Sequence, residues 1–272
     1  MYKRQAFNAP HTPIEAPIEL INEFTDIENE KDRVYAANVS ALDTEIGRII
    51  KAIEQEGILE ETIILFFSDN GPVFDIDPIA QVIAPNLINA KGSTAGLRGS
   101  KTSTFEGGIR VPAVIWWKGV IENAKSDQFF FVQDILPTLL RASNVNVAET
   151  IKFDGKDKWL NLLENKIVPP KNAFIGARLI ADERALFNGK WKLRWSKPQL
   201  IPVTASYSLF DILEDPYEKN DLSEEHPQVV DAMKKILTSF IERDVVGDMN
   251  PAHAYLHGCL LYTSPSPRDR YI

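Results

Sequence analysis

The sequence predicts an α/β protein: an incomplete doubly wound α/β domain followed by a small α+β subdomain. Three observations predict it. A long amphipathic helix pattern leads, after a short loop, into the continuous apolar run Ile63-Ile64-Leu65-Phe66-Phe67, which reads as a strand buried on both faces of a parallel sheet. A second apolar run, Ala113-Val114-Ile115-Trp116-Trp117, follows a glycine-rich loop. Beyond about Asn144 the texture shifts to short strands with tight turn signals, closed by another amphipathic helix. Helix, short loop and buried strand are the pieces of a doubly wound unit, whereas strands followed by a helix suit an α+β arrangement.

Each element has its own justification. Pro10, Pro13 and Pro17 make Ala6 to Pro17 a stiff, extended loop, because proline fixes φ and constrains the residue before it. From about Lys31 to Glu56, Val39, Leu42, Ile46, Ile49, Ile50 and Ile53 recur at helical spacing on one face. Gly57 suits a left-handed helix end. The strand Thr62 to Ser68 then stops at Asp69-Asn70-Gly71. Gly71 to Gly96 is a long irregular stretch of the kind that carries function or stays disordered. Gln133 to Ala142 has a helical apolar pattern around Ile135, Leu136, Leu139 and Leu140, with Pro137 early in it. Ala185-Leu186-Phe187 and the segment Trp191 to Trp195 flank Asn188-Gly189, a hairpin signal. Ser208-Leu209-Phe210 is a further short strand, Asp215-Pro216 a turn, and Pro227 to Arg243 a helix with proline in its first turn. Trp116, Trp117, Trp191 and Trp195, at strand positions, read as core or subdomain-interface residues. The expected division is residues 6–145 for the α/β portion and 146–258 for the subdomain.

Composition narrows the function classes. The net charge of −8 argues against a general nucleic-acid binder, which needs basic surface to neutralise phosphates. No apolar run is long enough to span a membrane. A hydrophobic content of 44% is that of a globular chain. The two ends stand apart. Cys259 to Ser264 and Met1 to Gln5 can be encoded by opposite strands of one nucleotide string that resembles a sequencing-library adapter, and Pro265 to Asp269 resembles its continuation. Residues 1–5 and 259–272 are therefore expected to be non-native scars, outside fold reasoning. Setting them aside removes the lone cysteine, and with it any thiol nucleophile or disulfide. It also removes Lys3, Arg4, Arg268 and Arg270 against one acid, Asp269, so the balance becomes more acidic still.

Candidate chemistry gathers at the strand end. In open α/β sheets ligands bind beyond the carboxyl ends of the strands, where Asp69 and Asn70 lie. Both offer oxygen ligands, which suit a hard cation such as calcium or magnesium. Read alone, Asp69-Asn70-Gly71 is equally a turn. Lys101, in a Gly/Ser/Thr-rich loop, reads alone as a solvated charge, and His11, between prolines, as a loop residue. Glu106-Gly107-Gly108 reads as a tight backbone path, and Arg110 as a structural partner for a carboxylate. His226, His253 and His257 receive no role.

Several blocks taken in order carry more than their parts. They are Asn8-Ala9-Pro10-His11-Thr12-Pro13; Phe67-Ser68-Asp69-Asn70-Gly71; Leu97-Arg98-Gly99-Ser100-Lys101 with Glu106-Gly107-Gly108-Ile109-Arg110-Val111-Pro112; and Leu209-Phe210-Asp211-Ile212 with Asp215-Pro216, Glu218 and Asn220-Asp221-Leu222. Together they resemble the C-terminal part of a type I sulfatase, the formylglycine-dependent sulfuric ester hydrolases of the alkaline phosphatase superfamily. The resemblance covers Ala6 to about Asp244. It implies that Asp69 and Asn70 ligate calcium (magnesium less so), that Lys101 contacts the sulfate oxygens, and that His11 hydrogen-bonds the sulfate and assists at the leaving oxygen. It implies a sulfated small molecule or sulfated glycan as substrate and a periplasmic or secreted location. The family's nucleophile motif, Cys/Ser-x-Pro/Ala-x-Arg, and its paired aspartates do not occur between Ala6 and Gly258. They are expected upstream, which leaves this fragment inactive alone. A phospho- or phosphonate-ester hydrolase of the same superfamily and a non-catalytic binding or scaffold homologue stay open as alternatives. Two-zinc phosphatases need imidazole ligands, and Asn70 directly after Asp69 favours one oxygen-ligated cation instead.

Overall fold

The structure is a computed structural model that describes residues 3–73, 92–178, 181–198 and 203–243. The chain divides into two compact units. The first comprises Met1–Lys101 and Phe105–Pro170, the second Thr102–Thr104 and Lys171–Ile272. The expected scar at 259–272, and His253 and His257, lie outside the described residues.

In the first unit, a short helix α1 (Ile18–Ile21) precedes the long helix α2 (Glu30–Gln55). Asn29 caps α2: its side-chain oxygen accepts from the Lys31 and Asp32 N–H groups at 3.0 and 3.2 Å, satisfying donors that have no intrahelical partner. Glu30 and Asp32 place negative charge at the positive end of the helix dipole. Beyond the other end Gly57 turns left-handed, at φ 71°. Strand β1 (Ile64–Phe67) follows, then a one-turn helix α3 (Glu106–Ile109), strand β2 (Ala113–Trp116), helix α4 (Ile135–Ala142) and helix α5 (Trp159–Leu163). Pro137 is the third residue of α4, where its missing N–H costs no intrahelical hydrogen bond. Asp134 ties this region together, accepting from the Phe131 N–H at 3.0 Å and the Lys156 N–H at 2.7 Å.

One expectation is corrected here. β1 is not buried on both faces, and its partner among the described residues is not parallel. It pairs antiparallel with β2, Ile64 opposite Trp116 and Phe67 opposite Ala113. Phe66, Phe67 and Val114 are 39%, 41% and 57% exposed. A continuous apolar run signals two faces suited to burial; it does not supply the layers that bury them.

The second unit is a four-stranded antiparallel sheet, β3 (Lys171–Arg178), β4 (Ala181–Asn188), β5 (Trp191–Pro198) and β6 (Ser206–Asp211), in sequence order, with helix α6 (Pro227–Arg243). The β4–β5 hairpin closes between paired Asn188 and Trp191. Its central residues are Gly189, at φ 63°, and Lys190, so the glycine stands first in the turn, as in type II′. Strand periodicity divides the sheet. Leu186, Leu193 and Leu209 form a core with Met233 and Leu237 of α6, and Phe174 stacks on Phe240 with ring centroids 5.2 Å apart. Trp191 and Trp195 are partly buried against that core, in keeping with the core role expected of them.

The other face of β4 and β5 carries charge in buried pairs. Lys192 and Glu218 are both fully buried, 2.8 Å apart, and Arg194 pairs with Glu183. The Leu-Phe-Asp and Asp-Pro blocks serve backbone caps in this unit. Asp211 accepts from the Leu213 and Glu214 N–H groups, and Asp221 from those of Leu209 and Ser223. Burial alone would raise the Asp211 carboxyl, but the Lys190 ammonium and these backbone donors hold it below its ordinary value. Asp221 is lowered in the same way, its backbone and serine donors outweighing burial.

Candidate functional site

The site lies in the first unit and is assembled by backbone contacts between glycine-rich segments. The Gly71 N–H donates to the Gly108 carbonyl at 2.8 Å, the Gly107 N–H to the Arg98 carbonyl at 2.7 Å, and the Lys101 N–H to the Pro72 carbonyl at 2.9 Å. There is no room for side chains along this seam. A Cβ on Gly71 would meet the Gly107 carbonyl oxygen at 1.9 Å, and one on Gly107 would meet the Gly99 oxygen at 2.3 Å. Glycine is required because two backbones approach each other. The consequence is that the loop carrying Lys101 is fastened to the segment that leaves the end of β1, where Asp69 and Asn70 stand. Glu106 is buried beside the seam, and Arg110 approaches it to 4.0 Å, a structural pairing of the kind expected for Arg110.

His11 comes to this loop from far away in sequence. Its Nε2 lies 3.3 Å from Lys101 Nζ, across ninety positions. Its Nδ1 lies 2.8 Å from the Thr12 carbonyl oxygen. A carbonyl can only accept, so Nδ1 carries the hydrogen; an ammonium can only donate, so Nε2 presents its lone pair to Lys101. A hydrogen bond from the His11 N–H to the Asn8 carbonyl, 2.8 Å, shapes the turn beneath the ring. His11 is exposed and Lys101 half-buried, so both are open to an incoming anion.

Of the residues singled out from sequence, the structure thus joins His11 to Lys101 by side chain, and Lys101 to the β1 exit by backbone. Among the described residues, neither Asp69 nor Asn70 hydrogen-bonds the His11–Lys101 pair. The Asn70 amide donates to the Gly71 carbonyl at 2.9 Å, which leaves its Oδ1 as the remaining ligand atom. Asp69 is exposed.

Comparison with known proteins decides the family. A sequence profile described as Sulfatase matches residues 5–145, slightly more than half of the chain. The chain belongs to the sulfatase family. It is 30% identical over 265 residues to an uncharacterized sulfatase of Schizosaccharomyces pombe, covering 82% of this chain and 47% of that protein. It is 28% identical over 209 residues to the N-acetylgalactosamine-6-O-sulfatase of Bacteroides thetaiotaomicron, covering 73% and 40%. Among solved structures, the crystal structure of Ps i-CgsB in complex with k-i-k-neocarrahexaose superposes with a TM-score of 0.68 at 26% identity, over 86% of this chain and 48% of that one. The fold is thus the mixed α/β fold of the sulfatases. The chain spans about half the length of the relatives it matches.

Within a sulfatase, Asp69 and Asn70 fit a hard cation in kind but only in part. Their oxygens have the right chemistry, yet calcium takes six to eight oxygen ligands, and no group of three or more His, Cys, Asp or Glu gathers among the described residues. Sequence reasoning also missed a buried cluster of the second unit. Thr104 is fully buried, and its N–H and hydroxyl both contact the Glu183 carboxylate, at 2.8 and 3.2 Å. No local pattern links positions so distant; only the loop's run of Thr and Ser hinted at side-chain hydrogen bonding.

Proposed function

We propose that this chain carries the lysine–histidine and part of the cation side of a sulfate ester hydrolase site, completed in the whole protein by a formylglycine and further acidic ligands that precede Ala6. The observation that carries the reading is the His11 Nε2–Lys101 Nζ contact of 3.3 Å, on a loop fastened to the β1 exit by the Lys101–Pro72 backbone bond. A sulfate ester presents peripheral oxygens with delocalised negative charge. Lys101, a compact charge with three donors, suits that tetrahedral anion. His11 Nε2 is the atom that takes or returns a proton beside the leaving oxygen, and the Thr12 carbonyl keeps its ring in the tautomer that does so. Asp69 and Asn70 would hold calcium, which would supply positive charge for the sulfate oxygens. A formylglycine in the whole protein would supply the nucleophile. Sulfated glycans and small sulfate esters are the substrate classes that fit. Alone, the chain holds part of this machinery and does not turn over.

The test uses the protein completed by its nucleophile-bearing portion. Loss of one preorganised donor costs about a hundred- to a thousandfold in rate, so Lys101→Ala lowers arylsulfate turnover by about that factor. Unchanged kinetics would remove Lys101 from the site.

A further inference from the structure

Helix α2 breaks its own apolar pattern at one position. Val39, which the helical spacing assigns to the apolar face, is 40% exposed, while its neighbour Asn38 is only 7% exposed and follows the fully buried Ala37. Asparagine is a poor helix former, and burying its amide costs free energy unless the amide is hydrogen-bonded. Local preference and burial both speak against asparagine here, so its presence points to a contact elsewhere in the fold.

That contact is with the segment that carries His11. Asn38 Nδ2 donates to the Glu15 carbonyl at 2.6 Å. A carbonyl can only accept, which fixes the orientation of the amide. Asn38 Oδ1 is buried and, among the described residues, has no hydrogen-bond partner. The donor is therefore the half of the amide that the fold uses. Glu15 stands four positions after His11, with Pro13 between them. Proline fixes φ and restricts the residue before it, so the chain between the anchored carbonyl and the imidazole is stiff. The same side of α2 also meets the segment that holds Lys101. Tyr35 lies three residues before Asn38 and so on a neighbouring part of the helix surface. Its hydroxyl is 3.4 Å from where a Cβ on Gly92 would stand, and that Cβ would stand 2.6 Å from Pro72, whose carbonyl accepts from the Lys101 N–H. All of these residues belong to the first unit.

We infer that Asn38 is a positioning residue for His11: by holding the Glu15 carbonyl on α2, it fixes the loop from which the imidazole reaches Lys101. The inference rests on the sulfatase reading for what His11 does in the reaction, and on geometry alone for the anchor.

The experiment separates the two. In the full chain, amide hydrogen exchange at His11 and the ring nitrogen resonances of His11 are followed by NMR in Asn38→Leu, which removes the donor together with the unpaired acceptor at similar side-chain size. The anchor requires the His11 amide to exchange faster, on the order of tenfold. It also requires the ring resonances to move from the Nδ1–H form toward the average of the two tautomers. Exchange at Leu42 and Ile46 of α2 stays unchanged, and the unfolding free energy in urea does not fall. Unchanged His11 readings would overturn the inference, and so would exchange raised uniformly along α2, which would make Asn38 a packing residue only. Should leucine not be accommodated, Asn38→Ala, which cannot overpack and favours the helix, decides by the same readings. In the completed enzyme, Asn38→Leu lowers kcat by about ten- to a hundredfold, the range a small misplacement costs, with KM little changed. Retained kcat in an enzyme that Lys101→Ala disables would also overturn the inference. If Lys101→Ala leaves turnover intact while the His11 readings move as expected, the sulfatase reading fails and the anchor stands.

Discussion

The candidate site of the first unit and the sheet of the second treat charge in opposite ways. In the first, His11 and Asp69 are exposed and Lys101 is half-buried, held in place by backbone groups around a glycine seam. In the second, Lys192 and Glu218 are fully buried against each other, and Glu183 and Arg194 nearly so. A buried ion pair is costly to assemble and costly to break, but it is not available to a substrate. A half-buried ammonium beside an exposed imidazole contributes little to stability and stays accessible to an anion. The contrast separates charge that specifies structure from charge left open to a ligand.

Substitutions can break or sharpen that contrast. The largest effect is expected from Lys192→Met, which removes the cation buried 2.8 Å from Glu218. Removing one member of a buried pair costs about 3–5 kcal/mol, read as a drop in unfolding free energy in urea. Adding Glu218→Gln should recover part of it, and a single-mutant loss well below 1 kcal/mol would show that the pair is solvated. Next comes Gly107→Ala, whose methyl would press on the Gly99, Arg98 and Leu97 carbonyl oxygens. Overpacking of this kind costs about 1–3 kcal/mol, and an unchanged urea midpoint would mean that the seam is loose. Gly47→Ala is the control within the same unit. Gly47 lies inside α2 and nothing stands within 4 Å of its missing Cβ, so alanine should stabilise by about 0.5–1 kcal/mol. The smallest shift belongs to Lys101→Ala. Its unfolding free energy should stay within about 0.5 kcal/mol of wild type, even as turnover in the completed enzyme collapses. A large stability loss there would erase the distinction between the units.

Much of this was legible in sequence where the signal is local. Val39 through Ile53 repeat at helical spacing, and α2 ends at Gln55, before the expected glycine. Asn188-Gly189 announced the β4–β5 hairpin, although the turn is centred one residue later, on Gly189 and Lys190. Strand β3 gave no comparable pattern. Asn172, at φ 53°, breaks its alternation where the register shifts between Lys171 and Ala173. The pairing of β1 with β2 was not legible either, because antiparallel register between segments so far apart is set by tertiary packing. For the site, the motif blocks named His11, Asp69, Asn70 and Lys101, and the structure shows how close the first and last of these stand. The grip of Glu183 and Arg194 on Thr104 spans 79 and 90 positions and leaves no periodic trace.

The glycine seam has a further consequence. Because hydrogen bonds between peptide groups fasten the Lys101 loop to the β1 exit, those fastenings persist when a neighbouring side chain is exchanged. Neighbouring positions such as Ser100 can therefore be diversified in a combinatorial library to retune selectivity while the scaffold beneath stays intact.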